Sequence, residues 1–157
     1  MLRISKLTDY ATVLLARLAA EPERRLTASQ LATLTHLAIP TVSKLLKLLH
    51  RAGLVASTRG LHGGYCLARP AASISAADIL EALEGPLALT ECAQHPNRCG
   101  IESTCAVGHA WQRVHVAIRR SLQEITLLEL AGLSAVPVRF AALERQTAGG
   151  PVQRSAG

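Results

Sequence analysis

The sequence predicts a mainly α fold in which three helices and a small β-hairpin come first and a long helix comes late. Three observations carry this. Apolar residues recur at three- and four-residue steps through most of the chain, as on one face of a helix. Two short strand-like segments flank the glycine-rich run Arg59-Gly-Leu-His-Gly-Gly64, as in a hairpin. Aromatic residues make up only 3%, too few for a large sheet-based fold, which leans on aromatic and β-branched side chains. Hydrophobic residues make up 49%, enough to pack a core and to exclude disorder of the whole chain.

Leu7, Tyr10, Ala11, Leu14, Leu15 and Leu18 mark a first helix over 8–20, ended by Glu21-Pro22. Thr27 and Gln30 have the spacing of a capping box, so a helix of about two turns follows, with Leu31, Ala32 and Leu34 inward. After a tight connection at 36–39, Pro40 falls in a first helical turn, where its missing N–H is tolerated. That helix runs to about Ala52, with Val42, Leu45, Leu46 and Leu49 on one face and Gly53 as its terminating glycine. Strands over 54–58 and 65–68 make the hairpin, with Cys66 as a small core residue. Ser75 to Asp78 opens another helix, with Ile79, Leu80 and Leu83 inward and Gly85-Pro86 at its end.

Residues 91–105 show no periodicity. A long helix resumes from about Ala106 to Glu124, and a short turn follows at 126–130. Val107, Trp111, Val114, Ile118, Leu122 and Ile125 form an apolar stripe close to a coiled-coil seam. It is either a dimer interface or a face packed on the chain's own core. The expected organisation is therefore 1–70 as one module, 71–131 as a second, and 132–157 as a largely disordered tail.

Helix, short helix, turn, amphipathic helix, hairpin is the order of a winged helix-turn-helix, whose second helix of the pair enters the major groove of DNA. Charge agrees. Residues 1–70 carry ten Lys/Arg against three acids, while 71–157 carry seven against eight, so the whole positive excess lies in the first module. A basic module joined to a near-neutral one suits a polyanionic partner. Thr41, Ser43, Lys44 and Lys47 lie off the apolar face of the second helix, able to reach base edges and phosphates. Arg59 and His62 sit at the hairpin tip, where Gly63 and Gly64 allow close approach to a duplex. Arg3 and Lys6 can add phosphate contacts. A homodimer is expected, because half-sites mirror protein symmetry. No apolar run approaches the ~20 residues of a membrane helix, and no signal-peptide core precedes Asp9, so a cytoplasmic protein is expected.

Cys92, Cys99 and Cys105 fall within one loop that also holds Pro96, Asn97 and Gly100. Structural zinc uses closer cysteine pairs. The wide spacing suits an iron–sulfur cluster better, with one position left for another ligand. Free thiols, or a reversible disulfide or zinc switch on the same scaffold, are the alternative. Nucleophile elbow, P-loop and zinc-protease helix motifs are missing, so an enzyme is not expected.

These residues carry a resemblance. Lys6-Leu-Thr-Asp-Tyr-Ala11, Gly53-Leu-Val55, Arg59-Gly-Leu-His-Gly-Gly-Tyr65 and the three cysteines followed by Trp111 resemble the IscR-type and NsrR-type winged-helix iron–sulfur regulators. The nearest likeness is to regulators of SUF-type cluster assembly, and it covers about residues 1–131. It implies a transcriptional regulator, a homodimer built on the long helix, and a cluster on Cys92, Cys99 and Cys105 that controls operator binding. [2Fe-2S] is favoured over [4Fe-4S]. IscR-type proteins place a histidine three residues after the third cysteine, where this chain has Gly108; His109 follows at four. NsrR-type proteins use an N-terminal aspartate, matched by Asp9. His109 is placed ahead of Asp9 as the fourth ligand.

Overall fold

The computed structural model describes residues 4–87, 105 and 107–134. In chain order it contains α1 (Lys6–Ala20), α2 (Ala28–Thr35), α3 (Ile39–Arg51), β1 (Val55–Thr58), β2 (Gly64–Leu67), a 3-10 turn (Ala71–Ser73), α4 (Ala76–Glu84), α5 (Gly108–Glu124) and α6 (Leu127–Leu130). This is the mainly α, winged-helix arrangement that the sequence predicts. The tail beyond residue 134 lies outside the described residues.

The caps set the helix boundaries. Ser5 Oγ accepts from the Thr8 N–H at 3.2 Å, so α1 begins two residues before the expected start at residue 8. Thr27 and Gln30 form the expected capping box of α2. Two further boxes, Ser75 with Asp78 and Thr126 with Glu129, open α4 and α6. At the end of α3 the Gly53 N–H bonds to His50 O and the Leu54 N–H to Leu49 O, both at 3.0 Å, which is the Schellman pattern. Gly53 adopts φ +71°, as that pattern requires.

The core gathers Leu14, Leu15 and Leu18 of α1, Leu31 of α2, and Val42, Leu45, Leu46 and Leu49 of α3. Ile74, Ile79 and Leu127 complete it, so α4 and α6 close over the three-helix module. A bridge between Ser75 and Thr126 fixes that closure: Ala76 N–H bonds to Ile125 O at 2.8 Å, and Leu127 N–H to Ile74 O at 2.7 Å. The caps of α4 and α6 thus lie side by side.

Three apolar positions differ from expectation. Leu80 is half-buried, because Ala76, Ala77 and Ile79 supply the buried face of α4. Leu34 is exposed, because α2 has two turns and Leu31 and Ala32 already fill its inward face. Cys66 is half-buried rather than in the core, because the two-stranded sheet leaves β2 partly open along its length.

Helix α5 leans on α4 through Arg119 Nη2 and Glu81 Oε1, 3.0 Å apart. None of its described side chains is fully buried. The apolar stripe divides: Ile118, Leu122 and Ile125 are half-buried, whereas Val107, Trp111 and Val114 remain exposed. No helix among the described residues is long and apolar enough to cross a membrane.

Candidate nucleic-acid interface and metal centre

Helix α3 is held by its apolar face, so its other face is fixed in direction. Lys44 and Lys47 are exposed there, while Thr41 and Ser43 are half-buried beside them. His36, with φ +56°, makes the left-handed turn between α2 and α3. Asparagine, aspartate and histidine enter that region more readily than other non-glycine residues.

The hairpin pairs Val55 with Leu67, Ala56 with Cys66, Ser57 with Tyr65 and Thr58 with Gly64. It is anchored to the helices at Leu26, whose N–H bonds to Tyr65 O at 3.0 Å and whose carbonyl accepts from Tyr65 N–H at 2.8 Å. Gly64 permits that approach, since a Cβ there would meet the Leu26 carbonyl at 3.0 Å. At the tip, Gly63 N–H closes a turn on Gly60 O at 2.9 Å. Arg59, Leu61 and His62 project from this turn, all exposed. Arg25 braces the tip end of β1 by donating from Nη1 to Thr58 Oγ1. Sequence reasoning did not single out Arg25 or Leu26, because strand pairing to a residue before α2 has no local signature.

The basic residues separate into two sets. Arg17 and Arg24 pair with Glu21 at 2.8 and 2.9 Å, Arg69 with Asp78 at 3.0 Å, and Arg119 and Arg120 with Glu81 and Glu124. Lys44, Lys47 and Arg59 form no ion pair among the described residues. Among the described residues, the cations without a counter-charge therefore include those of α3 and the wing tip, where phosphates can supply one.

Cys92 and Cys99 lie outside the described residues. Cys105 is described: a free, half-buried thiol just ahead of α5, with its Sγ 3.5 Å from where a Cβ on Gly108 would stand. His109 belongs to the first turn of α5. Asp9 is exposed in the first turn of α1, with no side-chain partner among the described residues. Among those residues no three His, Cys, Asp or Glu side chains converge as a metal site. The start of α1 is tied to the segment that leads into the cysteines: Thr8, buried, donates from Oγ1 to Glu84 Oε1 at 2.5 Å. Hydrogen bonding from Ser5 and Thr8 holds the Glu84 carboxyl below the ordinary glutamate range.

Residues 4–132 match the profile of the Rrf2 family, described as an iron-dependent transcriptional regulator. This chain belongs to the Rrf2 family. It is a DNA-binding transcriptional regulator, and the family consists of regulators rather than enzymes. Protein rrf2 of Nitratidesulfovibrio vulgaris is 29% identical over 130 residues, 82% of this chain and 87% of that protein. CymR of B. subtilis, the global cysteine regulator, superposes with a TM-score of 0.65 at 30% identity, covering 85% of this chain and 99% of that one. IscR of T. potens gives 0.62 at 29% identity, covering 95% and 94%. The winged-helix fold of this Rrf2 chain is thus shared with both a cysteine regulator and an IscR.

Proposed function

We propose that this Rrf2 protein is a cytoplasmic homodimeric regulator whose operator affinity is set by an iron–sulfur cluster, [2Fe-2S] in preference to [4Fe-4S]. Its targets are genes of SUF-type cluster assembly or of stress response. Cys92, Cys99 and Cys105 hold the cluster, with His109 as fourth ligand and Asp9 as the alternative. Three thiolate donors in one segment form the donor set of such a group. The observation that carries the reading is Cys105: a free thiol seated at the start of α5, in a family described as iron-dependent. When bound, the cluster supplies a redox-sensitive charge whose state can differ between conditions. The chain's own residues do the rest. Lys44, Lys47 and Arg59 present positive charge that no described acid pairs with, and Thr41, Ser43 and His62 present hydrogen-bonding groups to the duplex. Gly63 and Gly64 hold the wing in its tight turn. Trp111 and Val114 meet a second copy of α5.

A thiol- or zinc-based switch is the second reading, favoured by the likeness to CymR, which is described as a cysteine regulator and for which an oxidised form has been solved from Staphylococcus aureus. Anaerobic purification followed by a visible spectrum with iron and sulfide analysis separates the two. Broad visible absorbance with stoichiometric iron and sulfide is expected. A colourless protein that stays colourless after reconstitution, with zinc or an oxidant-induced disulfide, would overturn the cluster.

A further inference from the structure

The outward face of α3 has an unusual chemistry for a helix that reads DNA. Residues Ile39–Arg51 contain no Asn or Gln, the residues that bond bidentately to adenine, and no Asp or Glu to accept from cytosine. The hydroxyls of Thr41 and Ser43 bond to any base. The first turn of such a helix is the part that meets base edges. Here that turn begins with Ile39 and Pro40, both exposed. Ile39 is 52% exposed although it is a large aliphatic residue on a helix whose apolar face is otherwise filled by Val42, Leu45, Leu46 and Leu49. Ser43 follows Ile39 by about one turn, and Lys44 and Lys47 lie further along α3 on the exposed side, so a duplex held by the lysines with the start of α3 in its groove meets Ile39 at the flank of that face. The one base-edge group in the major groove that an aliphatic side chain recognises is the C5-methyl of thymine.

We propose that Ile39 is a specificity-determining residue that reads a thymine methyl group at the start of the recognition helix. This rests on the placement of α3 in the major groove. The protein therefore discriminates A·T from G·C on α3 by apolar contact rather than by a bidentate amide. Lys44 and Lys47 supply affinity through phosphates or guanine edges.

The test uses the full chain and a duplex selected from a random library by that chain. Each thymine of the selected duplex is replaced in turn by uracil, which removes the methyl group and leaves the hydrogen-bonding edges intact. At one thymine per half-site, wild-type affinity should fall about threefold to tenfold, the worth of a buried methyl group. The variant Ile39→Ala should bind the thymine duplex that much more weakly and show no further loss with uracil there. Ile39→Val, which keeps branched methyls, should recover most of the difference. Equal sensitivity of wild type and Ile39→Ala to every uracil substitution would overturn the proposal while leaving α3 as the DNA-reading helix. Failure of Lys44→Ala and Lys47→Ala to weaken the selected duplex would instead overturn the placement of α3, and the proposal with it.

Discussion

At Gly63 a single added methyl group would displace the wing tip. A Cβ there would collide with the Thr58 carbonyl oxygen and lie 2.9 Å from Gly60 O, inside the turn that carries Arg59 and His62. All of these neighbours are backbone, so no side-chain rotation relieves the clash. Gly63→Ala should therefore weaken operator binding about tenfold or more, the worth of one or two side-chain bonds to the duplex. The helical signal and thermal midpoint should change little, since the tip is remote from the core; anisotropy titration and circular dichroism check both. Arg59→Ala and Lys44→Ala leave the backbone alone and should act through charge. Each should weaken binding while leaving the proposed dimer and cluster spectrum intact. A variant that no longer neutralises one phosphate should make log K less steep in log salt by about one. The candidate DNA residues were legible in the sequence because hydroxyls, lysines and glycines announce themselves by type. Arg25 and Leu26 were not, because their roles come from pairing with Thr58 and Tyr65 across the turn of the helix pair.

Among the described residues three capping boxes set helix boundaries, and two of them stand side by side at Ser75 and Thr126. Ser75→Ala removes the acceptor of the Asp78 N–H, so it should cost about 1 kcal/mol in denaturant unfolding, the usual worth of a cap. The same caps impose a pH dependence. Burial works against the charge on Asp78, but hydrogen bonds from Ser75 and the adjacent Arg69 outweigh it and hold the carboxyl below its ordinary value of 3.8. Bonds from the Thr126 backbone and side chain hold Glu129 below its ordinary 4.5. The folded chain thus gives up these charges less readily than the unfolded one. Their contribution is present in full above the unfolded values and is lost as pH falls through them toward the lower native values. Stability should fall most steeply below about pH 4.5, and Asp78→Asn should flatten that fall; denaturation midpoints measured across pH 3–7 test it. The elements themselves were legible from period and caps: α3 starts and ends one residue earlier than expected, and Gly53 ends it as expected. The pairing of the α4 and α6 caps was not, because it joins segments on opposite sides of the cysteine run.

For the whole molecule the decisive feature is α5, a long helix with no fully buried side chain among those described. Most of the stability of a helix in a protein comes from packing an apolar face, and this helix has only half of one in the single chain. Ile118, Leu122 and Ile125 are half-buried, on the part of α5 that pairs with α4 through Arg119 and leads into buried Leu127, whereas Trp111 and Val114 face outward at 50% and 42% exposure. The sequence showed the stripe without showing this division, because a heptad-like period looks the same whether the partner is the chain's own core or a second copy. A second α5 covering Trp111 and Val114 would finish the packing and bring two recognition helices onto one duplex. Trp111→Glu places a charge where the proposed interface must become dry, and should convert the proposed dimer to monomer in sedimentation while leaving the unfolding transition of the core built on α1 and α3 in place. Operator affinity should then fall by about a hundredfold or more, because the second half-site no longer binds at a high effective concentration. A Trp111→Glu protein that stays dimeric would move the interface off α5, and the open half of the stripe would need a different occupant.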